Sequence, residues 1–180
     1  MFEIDHINRK LSELQSSSFN CGGTWEARLF NKFDEKDNAL SVLRKVFKDN
    51  PKYDNLTRHK EFEEKGEWNP EENKLTKNLE LINLLNWENY FDERIDHWSN
   101  FELISKEEMA LNFKQDKFLE EKKRFKEELD KILLDRKLLK VYKINEDKFD
   151  TYYLWKEQIF EDFVFELESE ILTISFGWSS

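Results

Sequence analysis

A strict period-two alternation near the C-terminus constrains this chain more than any other feature. Phe163, Phe165 and Leu167 fall on one side of an extended strand, while Glu166 and Glu168 fall on the other. After a break at Ser169 and Glu170 the pattern resumes with Leu172, Ile174 and Phe176. A helix cannot hold such a row on one face, so the segment predicts a β-hairpin. Setting Leu167 opposite Leu172 places Phe165 opposite Ile174 and Phe163 opposite Phe176, and the two apolar faces coincide. The expected product is a greasy underside with a rim of carboxylates.

Upstream the period lengthens. Ile4, Ile7, Leu11 and Leu14 keep helical spacing and predict a helix over residues 3–15. Residues 16–23 are loop-like in composition. Trp25, Ala27 and Leu29 then alternate with Glu26 and Arg28, as in a strand. Leu40, Leu43 and Phe47 mark a second helix, starting near Asp34 or Asp37 and ending before Asn50 and Pro51. Asn69, Pro70 and Glu72 form a helix start, and Leu75, Leu79, Ile82, Leu84 and Leu85 carry that helix onward. Ser105 and Glu108 form a capping box for a longer helix reaching Asp135. Its apolar stripe, Leu111, Phe118, Phe125 and Ile132, is narrow and set in Lys and Glu, which predicts a helix lying across its own domain rather than a coiled coil. From Leu139 to Ile144 the period returns to two, and residues 145–148 read as a polar turn. Residues 152–155 read as a further strand. The expected fold class is α+β, with N-terminal and central helices packed on a mainly antiparallel C-terminal β-meander. At 180 residues, with no internal repeat or evident linker, the expectation is a single domain over 1–180.

Composition narrows the function classes. The formal charge is −10, and residues 141–180 hold nine Asp and Glu against three Lys. An acidic surface repels nucleic acid and anionic lipid and attracts basic proteins, so direct nucleic-acid binding is not expected. The single Cys21 rules out an internal disulfide, and the N-terminal residues lack the basic and then apolar run of a signal peptide. No apolar run reaches the length of a membrane helix. The expected location is the cytoplasm, away from membranes.

Catalytic chemistry finds little support. Cys21 beside Gly22 and Gly23 lacks a base that sequence can place next to it, and a buried structural Cys explains it as well. His97 follows Glu93 by one helical turn, but no second His pair or Cys pair completes a metal site. His59 lies in a charged, solvated run. No glycine loop that could cradle phosphate is present. The expectation is no catalytic residue, no metal and no cofactor. A small enzyme using Cys21 or a carboxylate cluster stays as an alternative.

The carboxylates offer two readings. They keep an exposed strand soluble and discourage edge pairing, or they form a field for a basic partner. In the second reading Asp147, Asp150, Glu161, Asp162, Glu166, Glu168 and Glu170 supply the charge, and Tyr152, Trp155 and Trp178 supply aromatic anchors. In size, acidity and the style of residues 152–178, the chain resembles the immunity proteins of bacterial polymorphic and contact-dependent toxin systems. That resemblance implies a cytosolic inhibitor that blocks the basic active site or exosite of a cognate toxin, often a nuclease. The alternative in the same class is a phage or mobile-element protein that blocks a host defence factor by acidic mimicry.

Overall fold

A computed structural model describes residues 2–18, 25–49, 79–100, 115–145 and 159–178. The elements are α1 (Phe2–Ser16), β1 (Trp25–Asn31), α2 (Ala39–Asp49), β2 (Leu81–Asn83), α3 (Trp87–Ser99), α4 (Gln115–Asp135), β3 (Leu138–Ile144), β4 (Ile159–Leu167) and β5 (Glu170–Trp178). The fold is α+β. The strands form one sheet in the order β1-β5-β4-β3-β2, and every neighbouring pair is antiparallel. The expected C-terminal meander is therefore its centre, and the N-terminal half supplies both edges.

The hairpin forms with Phe165 opposite Leu172 and Phe163 opposite Ile174. This register differs by two residues from the expected pairing. An even shift preserves the faces, so the apolar sides still coincide. The cause is the tight connection: Glu168 and Ser169 alone separate the strands, which draws each β4 residue toward an earlier β5 partner.

One face of the sheet carries the larger core. Ile7, Leu11 and Leu14 of α1, Phe91, Ile95 and Trp98 of α3, and Phe118, Phe125 and Leu129 of α4 pack there against Phe163, Phe165, Leu172, Ile174 and Phe176. Phe91 is its hub. Its ring meets Phe163 edge-on at 4.8 Å and Phe165 at 5.7 Å, with Phe125 on the other side at 6.3 Å. Edge-to-face contacts add to the area these rings bury. The described part of the α4 stripe, Phe118, Phe125 and Ile132, thus packs on its own sheet, as expected. The other face is covered too: Ala39, Val42 and Leu43 of α2, with Leu79, pack on Ile144, Val164 and Ile171.

Local chemistry sets the boundaries. Asn38 caps α2, its Oδ1 accepting the Ser41 N–H at 3.0 Å, so the helix begins just beyond the expected Asp37. Residues 81–83 were expected to continue a helix from Asn69. They pair instead with Ile144, Lys143 and Tyr142 as an edge strand, because Leu81 and Leu79 bury against the α2 side of the sheet. Edge β1 is blocked by a side chain. Asn8 of α1 donates to the Ala27 carbonyl at 2.9 Å and accepts the Ala27 N–H at 2.7 Å, replacing a neighbouring strand at that residue. The helix starts at Asn69 and Ser105, the strand at 152–155 and all of the turn at 145–148 but Asn145 lie outside the described residues.

Truncating Phe91 to Ala should cost about 3–5 kcal/mol, the range for an aromatic lost from a packed core. Urea denaturation of the two proteins measures it, with a lower midpoint and an unchanged slope as the expected outcome.

Candidate partner-binding surface

The structure divides the predicted acidic residues into two populations. Glu161 is 3% exposed and lies on the core face. Arg94 Nε donates to it at 2.6 Å, Trp98 Nε1 at 2.8 Å and the Tyr90 hydroxyl at 3.2 Å. Both of its oxygens are therefore occupied, and the carboxylate ties α3 to β4. Asp162 is buried and accepts from Ser175 Oγ across the hairpin. Glu166 is buried on the α2 side, with Lys32 Nζ at 3.4 Å and the Tyr142 hydroxyl at 3.0 Å. Burial, reinforced by the charge of Glu166, pushes the Tyr142 phenol up to about 12, so it remains a donor at neutral pH.

The expected exposed rim is thus corrected at these residues. Alternation put Glu166 opposite the greasy face, but that second face is covered by α2, and its polar residues pair inside the fold. Asp147, Asp150, Tyr152 and Trp155 lie outside the described residues. Trp178 ends β5 beside Ile159, and its side chain lies outside the description.

Glu168 and Glu170 belong to the second population. Arg136 donates to Glu170 and to Glu3 of α1, and Lys137 Nζ sits 2.8 Å from Glu168. The Glu168 N–H also donates to the Arg136 carbonyl at 3.3 Å. These contacts gather the β4–β5 turn, the α4–β3 turn and the start of α1 at one end of the molecule. Lys137 adopts the left-handed conformation, φ 55°, which lets the chain reverse between α4 and β3 within two residues. Just before it, Leu134 is 79% exposed and Asp135 is exposed. The end of α4 therefore carries an exposed leucine beside exposed Asp135, next to the turn whose Arg136 and Lys137 pair with Glu3, Glu170 and Glu168.

Sequence reasoning missed the partners of the buried acids. A signal was present: Tyr90, Arg94 and Trp98 recur every four residues and so form one helical row of donors. Leu134 left no signal, since exposure of one leucine in an amphipathic helix has no sequence mark. Glu93 and His97 do share a turn of α3, both on its exposed side. Burial and then Arg94 hold His97 below its ordinary value. Among the described residues no group of three His, Cys, Asp or Glu could hold a metal ion, and no helix is long and apolar enough to cross a membrane. Cys21 and His59 lie outside them.

Known proteins offer no likeness: no family model matches the chain, and no curated protein or solved structure matches it.

Two measurements separate the populations. Glu161→Ala strands Arg94 and the Trp98 N–H in the core and should cost about 3–5 kcal/mol in urea. Glu168→Ala removes an exposed pair and should leave the midpoint where it was.

A second test uses pH. Burial pushes the Asp92 carboxyl up, but hydrogen bonds from Lys126 and Lys122, reinforced by their charges, outweigh it and hold Asp92 below its ordinary value. A depressed carboxylate stabilises the fold fully above its unfolded value of about 4, and that contribution fades as pH falls through the folded value. Asp92→Asn should therefore lower stability at pH 7 and flatten the acid limb below about pH 4. Thermal melts across that range check it.

Proposed function

We propose that this protein is a stoichiometric inhibitor of a basic protein, of the bacterial toxin–immunity kind. It docks through the end that carries Leu134, Asp135, Glu3 and Glu168. The observation that carries this reading is Leu134 itself, a large apolar side chain 79% exposed at the end of α4, next to the exposed Asp135 and to the turn whose Arg136 and Lys137 pair with Glu3 and Glu168. An apolar centre with a charged rim is the usual anatomy of a protein–protein interface. The charge of −10 supports it by steering a basic partner inward. Docking of this kind covers about 800 Å² on each partner, and the acidic end closes the partner's basic cleft or an adjacent exosite. Glu161, Asp162 and Glu166 contribute to the scaffold and not to the contact, because their charges are spent inside it.

The test begins with a pull-down from the producing organism, using the tagged full chain at low and high salt. A single basic partner at one-to-one ratio, released as salt rises, is the expected result. Glu168→Lys should then slow association and reduce its salt dependence. Leu134→Ala should speed dissociation by about tenfold or more, as loss of an interface anchor does. Inhibition that survives both changes untouched would move the interface off this end of the molecule.

A further inference from the structure

Phe33 stands 54% exposed in the connection between β1 and α2 and, among the described residues, joins neither core. One exposed apolar residue is ordinary on a protein surface. The loop that holds this ring, and the place where the fold puts it, are not.

The loop is closed by its own polar groups. Asp37 Oδ2 accepts the N–H groups of Phe33 and Asp34, both at 3.0 Å, and Oδ1 accepts the Ser41 hydroxyl at 2.9 Å. The Asp37 N–H donates to the Asp34 carbonyl at 3.0 Å, and the Lys36 N–H donates to Asp34 Oδ1 at 3.0 Å. Aspartates that bond nearby backbone in this way fix a turn. The ring is steadied as well: the Lys45 ammonium of α2 lies 3.7 Å from its centroid and covers one face. A side chain already held in place loses little freedom when a partner covers it.

Sheet order brings this loop to the end of the molecule that carries Leu134. β5 and β4 lie between β1 and β3. β1 ends with Asn31 opposite Glu170, and the Lys32 N–H donates to the Ser169 carbonyl at 3.0 Å. On the other side the Glu168 N–H donates to the Arg136 carbonyl. The β4–β5 turn is thus held between two connections, one followed at once by Phe33 and the other preceded by Leu134. Strands β1 and β3 are about 14 Å apart at three strand spacings. A contact of about 800 Å² is roughly 30 Å across, so one contact can span both sides of the turn.

Charge selects the occupant. Asp34 and Glu35 beside the ring, and Asp135 beside Leu134, are exposed and make no ion pair among the described residues. Arg136 and Lys137 are already paired with Glu3, Glu170 and Glu168, and Lys36 is the one exposed cation of the loop. A second copy of this chain, itself at −10, is repelled from such a surface, and a basic protein is drawn to it.

We propose that Phe33 is a second anchor for the basic partner, which straddles the β4–β5 turn with Leu134 on one side and the Phe33 ring on the other. This inference rests on the inhibitor reading and adds the partner's shape: a basic surface with an apolar recess on each side of the strip that meets Glu168.

The experiment places the photoreactive residue p-benzoylphenylalanine at position 33, 134 or 123 of the full chain, one position at a time, in the producing organism. Lys123 is the control, exposed on α4 and about three turns back from Leu134. On irradiation, positions 33 and 134 should crosslink to one and the same basic protein, and position 123 should not. With that protein purified, Phe33→Ala should speed its dissociation about tenfold, and Phe33→Ala combined with Leu134→Ala about a hundredfold, since separated anchors add. Phe33 is exposed, so its variant should keep the parent's midpoint in urea. The second anchor is overturned, with the inhibitor reading intact, if only position 134 crosslinks or if Phe33→Ala dissociates like the parent. Capture of a second copy of this chain, or of a different protein, at position 33 overturns it too. Both ideas fall if position 134 captures nothing, or no more than position 123 does.

Discussion

Residues 161–167 of β4 and 171–177 of β5 are buried without interruption, on both faces of the sheet. This burial is the constraint from which the rest of the molecule follows. A hairpin in the middle of a sheet has no solvent face, so each face needs its own cover. The aromatic face takes α1, α3 and α4, and the opposite face takes α2. The edges follow as well. Pairs β1–β5 and β3–β4 satisfy the outer hydrogen bonds of the hairpin, which leaves β1 and the three-residue β2 at the margins. Those margins are small, and Asn8 closes part of one. Short or blocked edges leave little template for unwanted strand pairing.

Continuous burial also decides what polar residues can do there. A carboxylate inside a protein must be paired or bonded, or the cost of desolvation expels it. Glu161 meets this with three donors from one face of α3. Glu166 meets it with a lysine from the β1–α2 connection and a tyrosine from β3. These bonds are directional, where the aromatic contacts around Phe91 are not. Hydrophobic burial holds α3 against the sheet, and the row of donors onto Glu161 sets its position along β4. The pairs Lys122–Asp92, Lys122–Asp96 and Lys126–Asp92 then set α4 against α3.

The sequence was legible where one physical rule dominated. Period two and the aromatic run located β4 and β5, and period 3.6 located α1, α2 and the end of α4 at Asp135. It was misleading where two rules competed. Alternating Glu with Phe normally marks a half-exposed strand, and the same alternation arises when a covered face pairs its acids internally. Only the donors on distant elements decide between the two: Lys32 lies 134 residues from Glu166, and Arg94 lies 67 from Glu161. Residues 81–83 failed for a related reason. Their apolar spacing fits a helix, and tertiary pairing with β3 overrode it. The candidate surface at Leu134 depends on three chain segments meeting, which no local pattern encodes.

The division of the acids bears directly on how such a protein can change. Substituting Glu161 or Glu166 strands a buried cation or donor, so these positions are tied to the scaffold. Glu3, Asp135 and Glu168 are exposed, and the pairs Arg136–Glu3 and Lys137–Glu168 contribute little stability. Under the proposed reading, recognition can therefore be retuned at that end, by charge or by the size of residue 134, without disturbing the hairpin. A protein that must match one particular partner benefits from this separation. The buried hairpin holds the geometry, and the residues proposed to meet the partner are exposed at the ends of α1 and α4 and in the β4–β5 turn, where a change has few neighbours to upset.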